Sequence, residues 1–507
     1  MDAFLAGMAI LADPYMIGII LAGTVLGVVV GALPGLSGST TAALLLPITI
    51  TMSPVAGIAF LGAIYCAANF GGSITAILIN TPGDPSASAT AYDGYPMARR
   101  GEAGRALGMS TIASAIGGIF SVFVLIVAAP LLAKAAYSFG PPEYFALAIF
   151  GLSMLAAVGS STGIKNLMVG AFGVLLATIG LDLMTGVDRF TFGMPELSEG
   201  LGLVPVLTGL FAISELLVQA GRLQIIPERL GLNAMKLPSM ADYRKCAKAI
   251  GLSSVLGTLI GILPALGATT AALISYNETR RWSKYKDEFG KGSIEGIAGP
   301  EAANNAAVGG SMVPTLALGI PGSATTAIIL AGLVFGIFHF VMDRKKNMFI
   351  SGGEKPGPHL FNEQPTLLYA VFASMLASNL IYVVLGLFAA KLFARITLIP
   401  DAILWPGVLV FAIVGAYGPN QSLVDVWVML SFGVIGYVMR RYGFSPAPLV
   451  MGLVLGTMVE ETLKQSLLIF DHNWLLFFSR PIVVALFLVT ALSICAPWLM
   501  RAIRGAV

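Results

Sequence analysis

The sequence predicts an all-α polytopic membrane protein. Of its 507 residues, 57% are hydrophobic and only 11% are charged, whereas soluble domains carry about 25% charged residues. Apolar runs at 15–32, 106–133 and 482–500 are long enough to cross a bilayer core, which takes about 20 helical residues. Window hydropathy along the chain gives about 10–12 such transmembrane helices.

The start of the chain, its cysteines and its net charge exclude several other classes of protein and site. Asp2 precedes the first apolar run without any Lys or Arg, so the basic region of a cleaved signal peptide is missing and we expect the first segment to be retained. Cys66, Cys246 and Cys495 form no CxxC pair, so neither a disulfide framework nor a thiolate metal site is indicated. The net charge is only +3 and is dispersed among loops, which argues against nucleic-acid binding.

A motif in which a proline is followed by small and hydroxyl residues occurs twice, about half a chain apart. The first copy, in 31–49, begins GALPGLSGSTTAAL, and the second, in 261–279, begins GILPALGATTAAL. Paired broken hydrophobic segments in corresponding positions of two halves are the best sequence indication of a transport site near the bilayer midplane.

The duplication extends to a second pair of motifs. The break motif at 69–96 runs from the stretch 69–73, which begins with Asn and ends in Gly-Gly-Ser, to Pro82-Gly83. The one at 301–330 runs in the same way from 304–311 to Pro321-Gly322, with a one-residue slip. Both halves therefore share an order of elements. We place the first membrane repeat at 1–219, a basic inter-repeat loop at 220–248 and the second membrane repeat at 249–507.

Charged loops predict a re-entrant hairpin. The basic stretches at 220–248 and 280–291 should both face the cytoplasm by the positive-inside tendency. The 31 residues at 249–279 are long for one span and short for two. A helical hairpin that turns near Pro264 fits this length.

The same charge pattern bears on the relative orientation of the repeats. The loop at 51–54 is uncharged, whereas its counterpart at 280–291 is basic, and inversion of the repeats would explain the difference. The basic residues at 99–105 and 344–346 favour parallel copies instead. We favour inverted repeats.

Proline and glycine predict where the helices break. Proline removes a backbone donor, and glycine permits unusual backbone angles. Freed backbone groups at membrane depth need protein or an aqueous cavity around them. The second copy has Ala265 where the first has Gly35, so only the first break is expected to act as a flexible hinge. The predicted hinge residues are Pro34, Gly35, Pro82, Pro264 and Pro321.

A helix that restarts after a break directs N–H groups and its positive dipole end into the break, and neighbouring hydroxyls add donors. This arrangement suits a carboxylate ligand. Because the broken segments contain almost no Lys or Arg, we expect dipoles, hydroxyls and amides to hold the anion in place of fixed cations. The predicted substrate-binding residues are Ser37, Gly38, Ser39, Thr40, Thr41, Ser73, Gly83, Thr269, Thr270, Gly322, Ser323 and Thr325.

Two helix ends supply only about one unit of positive charge, so a polyanion would benefit from co-bound Na+ or protons. Amide and carboxylate oxygens are the ligands that hard cations prefer, and carboxylates at membrane depth are functional candidates. Asp84, Asp93 and Glu301 flank the second pair of motifs, and Asp84 and Glu301 are the preferred pair. The predicted ion-coupling residues are Asn69, Asp84, Glu301, Asn304 and Asn305. No cofactor is expected, and Na+ is the only metal expected.

Other interpretations compete with this one. Any single hydroxyl in an apolar helix is more often a packing residue than a ligand. A passive carboxylate channel would use the same lining. An intramembrane enzyme is less favoured, because Tyr92-Asp93 is not followed by GxGD and neither HExxH nor GxSxG occurs. An ATP-driven pump lacks its GxxxxGK[ST] loop.

The segments 31–47, 65–107 and 301–330 resemble the large membrane subunit of tripartite tricarboxylate transporters, and the similarity covers most of the chain. The resemblance implies a multi-pass protein of the bacterial inner (cytoplasmic) membrane that is not an enzyme. It further implies Na+- or H+-driven uptake of tri- or dicarboxylates such as citrate, together with a small membrane subunit and a periplasmic solute-binding protein. We favour an elevator-type motion, because re-entrant hairpins suit a mobile carrier.

Overall fold

Where the structure describes the chain, the fold is built from α-helices and short 3-10 turns, together with one short antiparallel ladder of β1 (Gly180–Leu181) and β2 (Asp188–Arg189). The computed structural model describes residues 2–33, 35–49, 51–157, 163–182, 184–220, 236–340, 357–388 and 401–504. The predicted hinge Pro34 and most of the predicted inter-repeat loop at 220–248 lie outside the described residues.

Ten α-helices are described before residue 221: α1 (Asp2–Ala9), α2 (Pro14–Gly31), α3 (Gly38–Thr49), α4 (Pro54–Ile79), α5 (Ser88–Arg99), α6 (Ala103–Ala136), α7 (Pro141–Ala157), α8 (Gly163–Ala177), α9 (Leu203–Thr208) and α10 (Ser214–Ala220). A π-helical turn, Gly209–Ile213, joins the last two. Ten more are described after it: α11 (Met240–Ile262), α12 (Gly267–Trp282), α13 (Glu295–Leu318), α14 (Ala324–Phe340), α15 (Leu360–Glu363), α16 (Pro365–Phe388), α17 (Asp401–Tyr417), α18 (Leu423–Arg441), α19 (Ala447–Ile469) and α20 (Pro481–Arg504).

Helix length and hydropathy confirm the all-α polytopic membrane class. In the described part of the chain, seven helical segments are long and apolar enough to cross a membrane, and five shorter apolar segments accompany them. The predicted number of 10–12 transmembrane helices lies between the seven spanning segments and the twelve apolar segments of both kinds in these ranges.

Two helices, α4 and α13, form the centre of the molecule. Every residue of α13 is buried although the helix carries Glu301, Asn304 and Asn305, and α4 is buried from Ala56 to Leu78. Helix α13 packs against α6 and α11, and α4 packs against α2. Polar side chains at such a depth need partners inside the protein, so these two helices position the candidate site.

Glycines bring each central helix close to its neighbour in the same way. A Cβ on Gly31 of α2 would lie 2.8 Å from the Cα of Ala68 in α4, and a Cβ on Gly261 of α11 would lie 2.8 Å from the Cα of Ala307 in α13. Small residues at helix interfaces permit this approach inside membranes. The equivalent glycines thus make equivalent contacts in the two halves, whereas the inversion of the repeats stays a prediction.

Helices α11 and α12 form the predicted hairpin. The turn at 263–266 contains Pro264, and the two helices pack against each other. The Lys245 ammonium, near the start of α11, lies 2.9 Å from the Glu288 carboxylate, which follows α12. The hairpin therefore begins and ends at the same side of the molecule.

Candidate functional site

The first break ends where Ser37 caps α3. Its hydroxyl accepts the Thr40 N–H at 3.2 Å and lies 2.9 Å from the Ser39 hydroxyl and 3.0 Å from that of Thr40. The Thr41 hydroxyl donates to the Ser37 carbonyl at 2.9 Å. The hydroxyl cluster predicted from the sequence is thus gathered around one helix N-terminus, and its members bond mainly to one another.

The carboxylate of Asp84, from the second motif of the first half, lies at this same N-terminus. Its Oδ2 accepts the Gly38 N–H at 2.8 Å, and its Oδ1 accepts the Ser86 N–H at 2.9 Å. The anion position at the start of α3, which the sequence assigns to substrate, therefore has a carboxylate of the protein itself on the Gly38 N–H. The substrate-binding role of Gly38 stays a prediction.

Asn69 connects Asp84 to the centre of α4. The Ser86 hydroxyl lies 2.6 Å from Oδ1 of Asp84 and 3.2 Å from Oδ1 of Asn69. The Asn69 amide in turn donates to the Tyr65 carbonyl at 2.9 Å. These contacts join the two breaks of the first half to one face of α4.

Tyr65 extends the connection to the second half. Its hydroxyl lies 2.9 Å from the Ser311 hydroxyl in α13 and 3.0 Å from that of Ser323, which caps α14. One residue earlier, the Gly322 carbonyl accepts the Ala265 N–H at 3.0 Å. The four predicted breaks, at 31–38, 80–87, 263–266 and 319–323, are therefore linked through one series of hydrogen bonds.

Glycine is required at the Pro-Gly positions because the backbone approaches closely. A Cβ on Gly83 would lie 3.1 Å from the Gly72 Cα, and a Cβ on Gly322 would lie 2.7 Å from the Ser311 Cα. The helices before these positions end at residues in the left-handed conformation, Asn80 for α4 and Gly319 for α13. Pro82 and Pro321 each lie two residues beyond that helix end.

The breaks at 31–38 and 263–266, here called the first and the second break, both contain a residue with positive φ, although the residues differ. Gly35 has a φ of +90°, and Ala265 has a φ of +67°. An L-residue other than glycine pays about 1–2 kcal/mol for the left-handed region. The alanine therefore adopts a positive φ like the glycine of the first break, but it adds backbone strain there.

Three hydroxyls surround the carboxylate of Glu301, which lies in the middle of α13. The hydroxyls of Ser73 and Ser114 donate to its Oε2 at 2.7 and 2.8 Å, and that of Thr90 donates to its Oε1. Glu301 is fully buried, and no cation lies within ion-pair distance in the part of the chain that the structure describes. Ser73 thus contacts a predicted ion-coupling residue.

One helical turn beyond Glu301, two buried amides have unpaired atoms among the described residues. Neither amide atom of Asn304 has a hydrogen-bond partner among the described residues, and Oδ1 of Asn305 has none. The Asn305 Nδ2 donates to the Glu301 carbonyl at 3.2 Å. A buried unpaired polar group costs about 1–3 kcal/mol, so these oxygens are available to a ligand.

The remaining predicted residues make fewer hydrogen bonds to the breaks. Thr269 and Thr270 are half-buried on the first turn of α12, and no side-chain hydrogen bond of theirs is found within the described ranges. Thr325 is buried near the start of α14. Asp93 holds a different place: it accepts the Gly292 N–H at 2.8 Å and the Tyr276 hydroxyl at 2.9 Å, which anchors the loop before α13.

A cavity of about 220 Å³ borders the two breaks of the second half. Its wall is formed by these breaks and by α7, α8 and the segment that leads into α19. The lining residues are Leu155, Asn166, Ala265, Ala324, Gly443, Ser445, Ala447, Pro448 and Met451.

Several residues of the site have no sequence signal of their own. Tyr65, Thr90 and Ser114 belong to the site only because helices far apart in the chain bring them there, whereas Ser86 joins it as a local partner of Asp84. Lys165, beside the cavity, is an isolated cation between apolar stretches, and this isolation could have identified it.

Comparison with known proteins agrees with this architecture. Residues 17–451 match the model of the tripartite tricarboxylate transporter TctA family. An uncharacterized 52.8 kDa protein in the TAR-I ttuC' 3' region of Agrobacterium vitis is 40% identical over 467 residues, which cover 92% of this chain and 89% of that protein. An uncharacterized protein in the TAR-II ttuC' 3' region of the same organism is 38% identical over 230 residues, 45% of this chain and 88% of that protein. No solved structure matches. The chain therefore belongs to the tripartite tricarboxylate transporter TctA family.

Proposed function

We propose that this chain is the transport subunit of a binding-protein-dependent system that takes up tri- or dicarboxylates such as citrate across the bacterial inner membrane. The observation that carries the proposal is the series of hydrogen bonds that links the four helix breaks. It runs from Gly38 through Asp84, Ser86, Asn69 and Tyr65 to Ser323, and the Ala265 N–H adds the remaining break through the Gly322 carbonyl. Broken helices that meet in the middle of a membrane protein are the usual construction of a transport site. Membership in a transporter family supports the same function.

A cation binds beside the substrate in this proposal. The orphaned oxygens of Asn304 and Asn305 and the carboxylate of Glu301 lie within one helical turn of α13. Contacts of Glu301 with Ser73 and of Ser311 with Tyr65 hold α4 against α13 on both sides of this turn. Hard cations take oxygen ligands of this kind, so Na+ would fill a need that no described residue meets.

The substrate is released by alternating access, in which an elevator-type motion carries the linked breaks past the surrounding helices. The two halves differ in a way that supports this motion. The first break packs against the ion pair of Glu215 and Arg440, since a Cβ on Gly35 would lie 2.6 Å from the Glu215 Oε1. The second break instead borders the cavity at Ala265. Exchanging these environments would open the site to the other side.

A small membrane subunit and a periplasmic solute-binding protein complete the system in this proposal. Exposed apolar side chains run along several helices, for example Phe123, Val127 and Leu131 of α6 and Val410, Val414 of α17. Lipid and a small membrane subunit are the surroundings that such faces favour.

The test is uptake of labelled citrate into proteoliposomes that hold this chain and its small membrane partner, with the binding protein outside. Na+ and proton gradients are imposed separately. Accumulation under one gradient supports coupled transport and identifies the ion. No accumulation under either gradient, with citrate shown to bind the binding protein, contradicts the proposal and favours an uncoupled channel.

A matched pair of variants tests the hydroxyl cluster within the same assay. Combined Ser39→Ala and Thr40→Ala should raise the KM for citrate without changing assembly with the small subunit. Ser138→Ala, which removes an exposed hydroxyl at the end of α6, should leave uptake unchanged. Equal uptake by all three proteins would mean that the cluster serves packing alone.

A further inference from the structure

A positive charge without a carboxylate partner among the described residues lies next to the cavity beside the second break. Lys165 lies at the start of α8, and its ammonium donates to the Tyr442 carbonyl at 3.0 Å. It also lies over the Phe444 ring, 4.8 Å from the ring centroid. Across the described ranges, no carboxylate comes within ion-pair distance of this ammonium.

The ammonium is close enough to act on the cavity. A Cβ on Gly443, which lines the cavity, would lie 3.6 Å from the Lys165 Nζ. The carbonyl and the ring hold the ammonium in place without neutralising it, because both are uncharged. Lys165 is only partly buried, and its ammonium attracts an anion in the cavity most strongly where the wall excludes water.

Two helix N-termini meet the same cavity. Ala324 is the first residue of α14 and Ala447 is the first residue of α19, and both line the wall. The Thr326 N–H of α14 bonds to the Ser323 hydroxyl, and the Leu449 N–H of α19 bonds to the Pro446 carbonyl. Ala324 and Ala447 therefore carry the N–H groups at the wall, and the dipoles of both helices favour an anion there. Ser445 adds a hydroxyl to the wall.

We propose that this cavity binds one carboxylate group of the transported anion and that Lys165 provides its counter-charge. The inference rests on the proposed function and assigns a substrate subsite to it. It replaces the expectation that no fixed cation takes part, since the lysine comes from α8 and not from the broken segments. A volume of about 220 Å³ is below the range of drug-sized pockets, about 300–1,000 Å³, and suits a small polar ligand.

The first test measures the KM for citrate and succinate uptake in the complete system. Lys165→Gln should raise both KM values about tenfold, the loss expected when about 1.4 kcal/mol of charge-assisted binding is removed. Lys165→Arg, which keeps the charge, should retain most of the affinity. Lys134→Gln removes an exposed lysine near the end of α6 that does not line the cavity. It serves as the matched control and should behave as the wild type.

The second test probes the cavity directly and needs no gradient. Ser445→Cys, in a background without the three native cysteines, is modified by an anionic and by a neutral thiol reagent in the purified complex. Citrate should slow both reactions. Lys165→Gln should slow the anionic reagent selectively, because the attraction of the ammonium is lost.

The outcomes separate the two proposals. The cavity inference is overturned if Lys165→Gln leaves the KM unchanged or if citrate does not alter the reaction rate of Ser445→Cys. Coupled uptake by the wild type would still support the proposed function in that case. Citrate protection of Ser445→Cys together with absent coupled uptake would support the cavity as a carboxylate site and contradict the proposed transport function.

Discussion

Replacement of Asn304 by leucine tests whether the unpaired amide in α13 is an ion ligand. The side chain is fully buried, and neither amide atom has a partner in the described part of the chain. Leucine has a similar size and carries no polar atom. The change therefore removes the cost of burying the amide together with any ligand that it offers to a cation.

The magnitude follows from two opposing terms. Without a cation, each unpaired polar group costs about 1–3 kcal/mol, so Asn304→Leu should unfold less readily than the wild type. With Na+ at about 100 times its dissociation constant, binding adds about 2.7 kcal/mol to the wild type. The variant lacks this addition, so the stability difference between the two proteins should shift by about 2.7 kcal/mol in favour of the wild type as Na+ is raised.

Thermal unfolding of the purified protein, titrated with Na+ and with choline as the inert cation, measures both terms. Asn379→Leu is the matched control, because Asn379 is a buried amide whose partners are present. It donates to the Met375 carbonyl and accepts the Tyr382 hydroxyl, each at 2.7 Å. This control should be less stable than the wild type at every Na+ concentration and should keep the full Na+ response.

Two results would refute the reasoning. One is an Asn304→Leu protein that is stabilised by Na+ as strongly as the wild type, since the amide would then not contact the ion. The other is a loss of stability in Na+-free buffer, since the amide would then have partners, such as bound water, that leucine cannot replace.

Three further outcomes are expected. Gly261→Ala should lower thermal stability by about 1–3 kcal/mol because its methyl group meets the α13 backbone, whereas Gly251→Ala in the same helix, with open space around it, should cause no loss. Asp84→Asn should lower thermal stability by about 1 kcal/mol, because only one side-chain oxygen remains to accept the N–H groups of Gly38 and Ser86. An altered ion dependence of uptake in this variant would further assign Asp84 to coupling. The hydrogen bond from Lys464 holds the pKa of Asp182 below its usual range, so stability from this pair is present above about pH 4 and is lost as the pH falls below it. Limited proteolysis of the loop between α8 and α9 should show this acid sensitivity in the wild type and not in Asp182→Asn.

Local sequence signals were sufficient where the backbone itself limits the fold. The apolar runs predicted the helices, and the turn near Pro264 follows from a segment too short for two spans. The duplicated motifs also predicted the break positions, and Gly31 and Gly261 make the same contact in both halves. These features depend on residues close together in the chain, and helix length and proline geometry control them.

The hydrogen-bond partners of the site residues could not be predicted in the same way. The sequence assigned the N-terminus of α3 to an anionic substrate, but the Asp84 carboxylate accepts its Gly38 N–H. Nothing near Glu301 in the chain indicates that Ser73 and Ser114 donate to it. These pairs are 46 to 228 residues apart, so only the packing of α3, α4, α6 and α13 selects them.

By itself, the sequence determined that the chain is a helical membrane protein, that each half contains broken helices and that hydroxyls follow the breaks, because bilayer thickness and backbone chemistry leave few alternatives. Only the tertiary structure decided that Tyr65 joins the halves, that the Asn304 amide is left unpaired, and that Lys165 comes to the cavity beside the second break. The physical reason is that hydrogen bonds and charges act over a few ångströms, so the neighbours that matter are set by helix packing and not by distance along the chain.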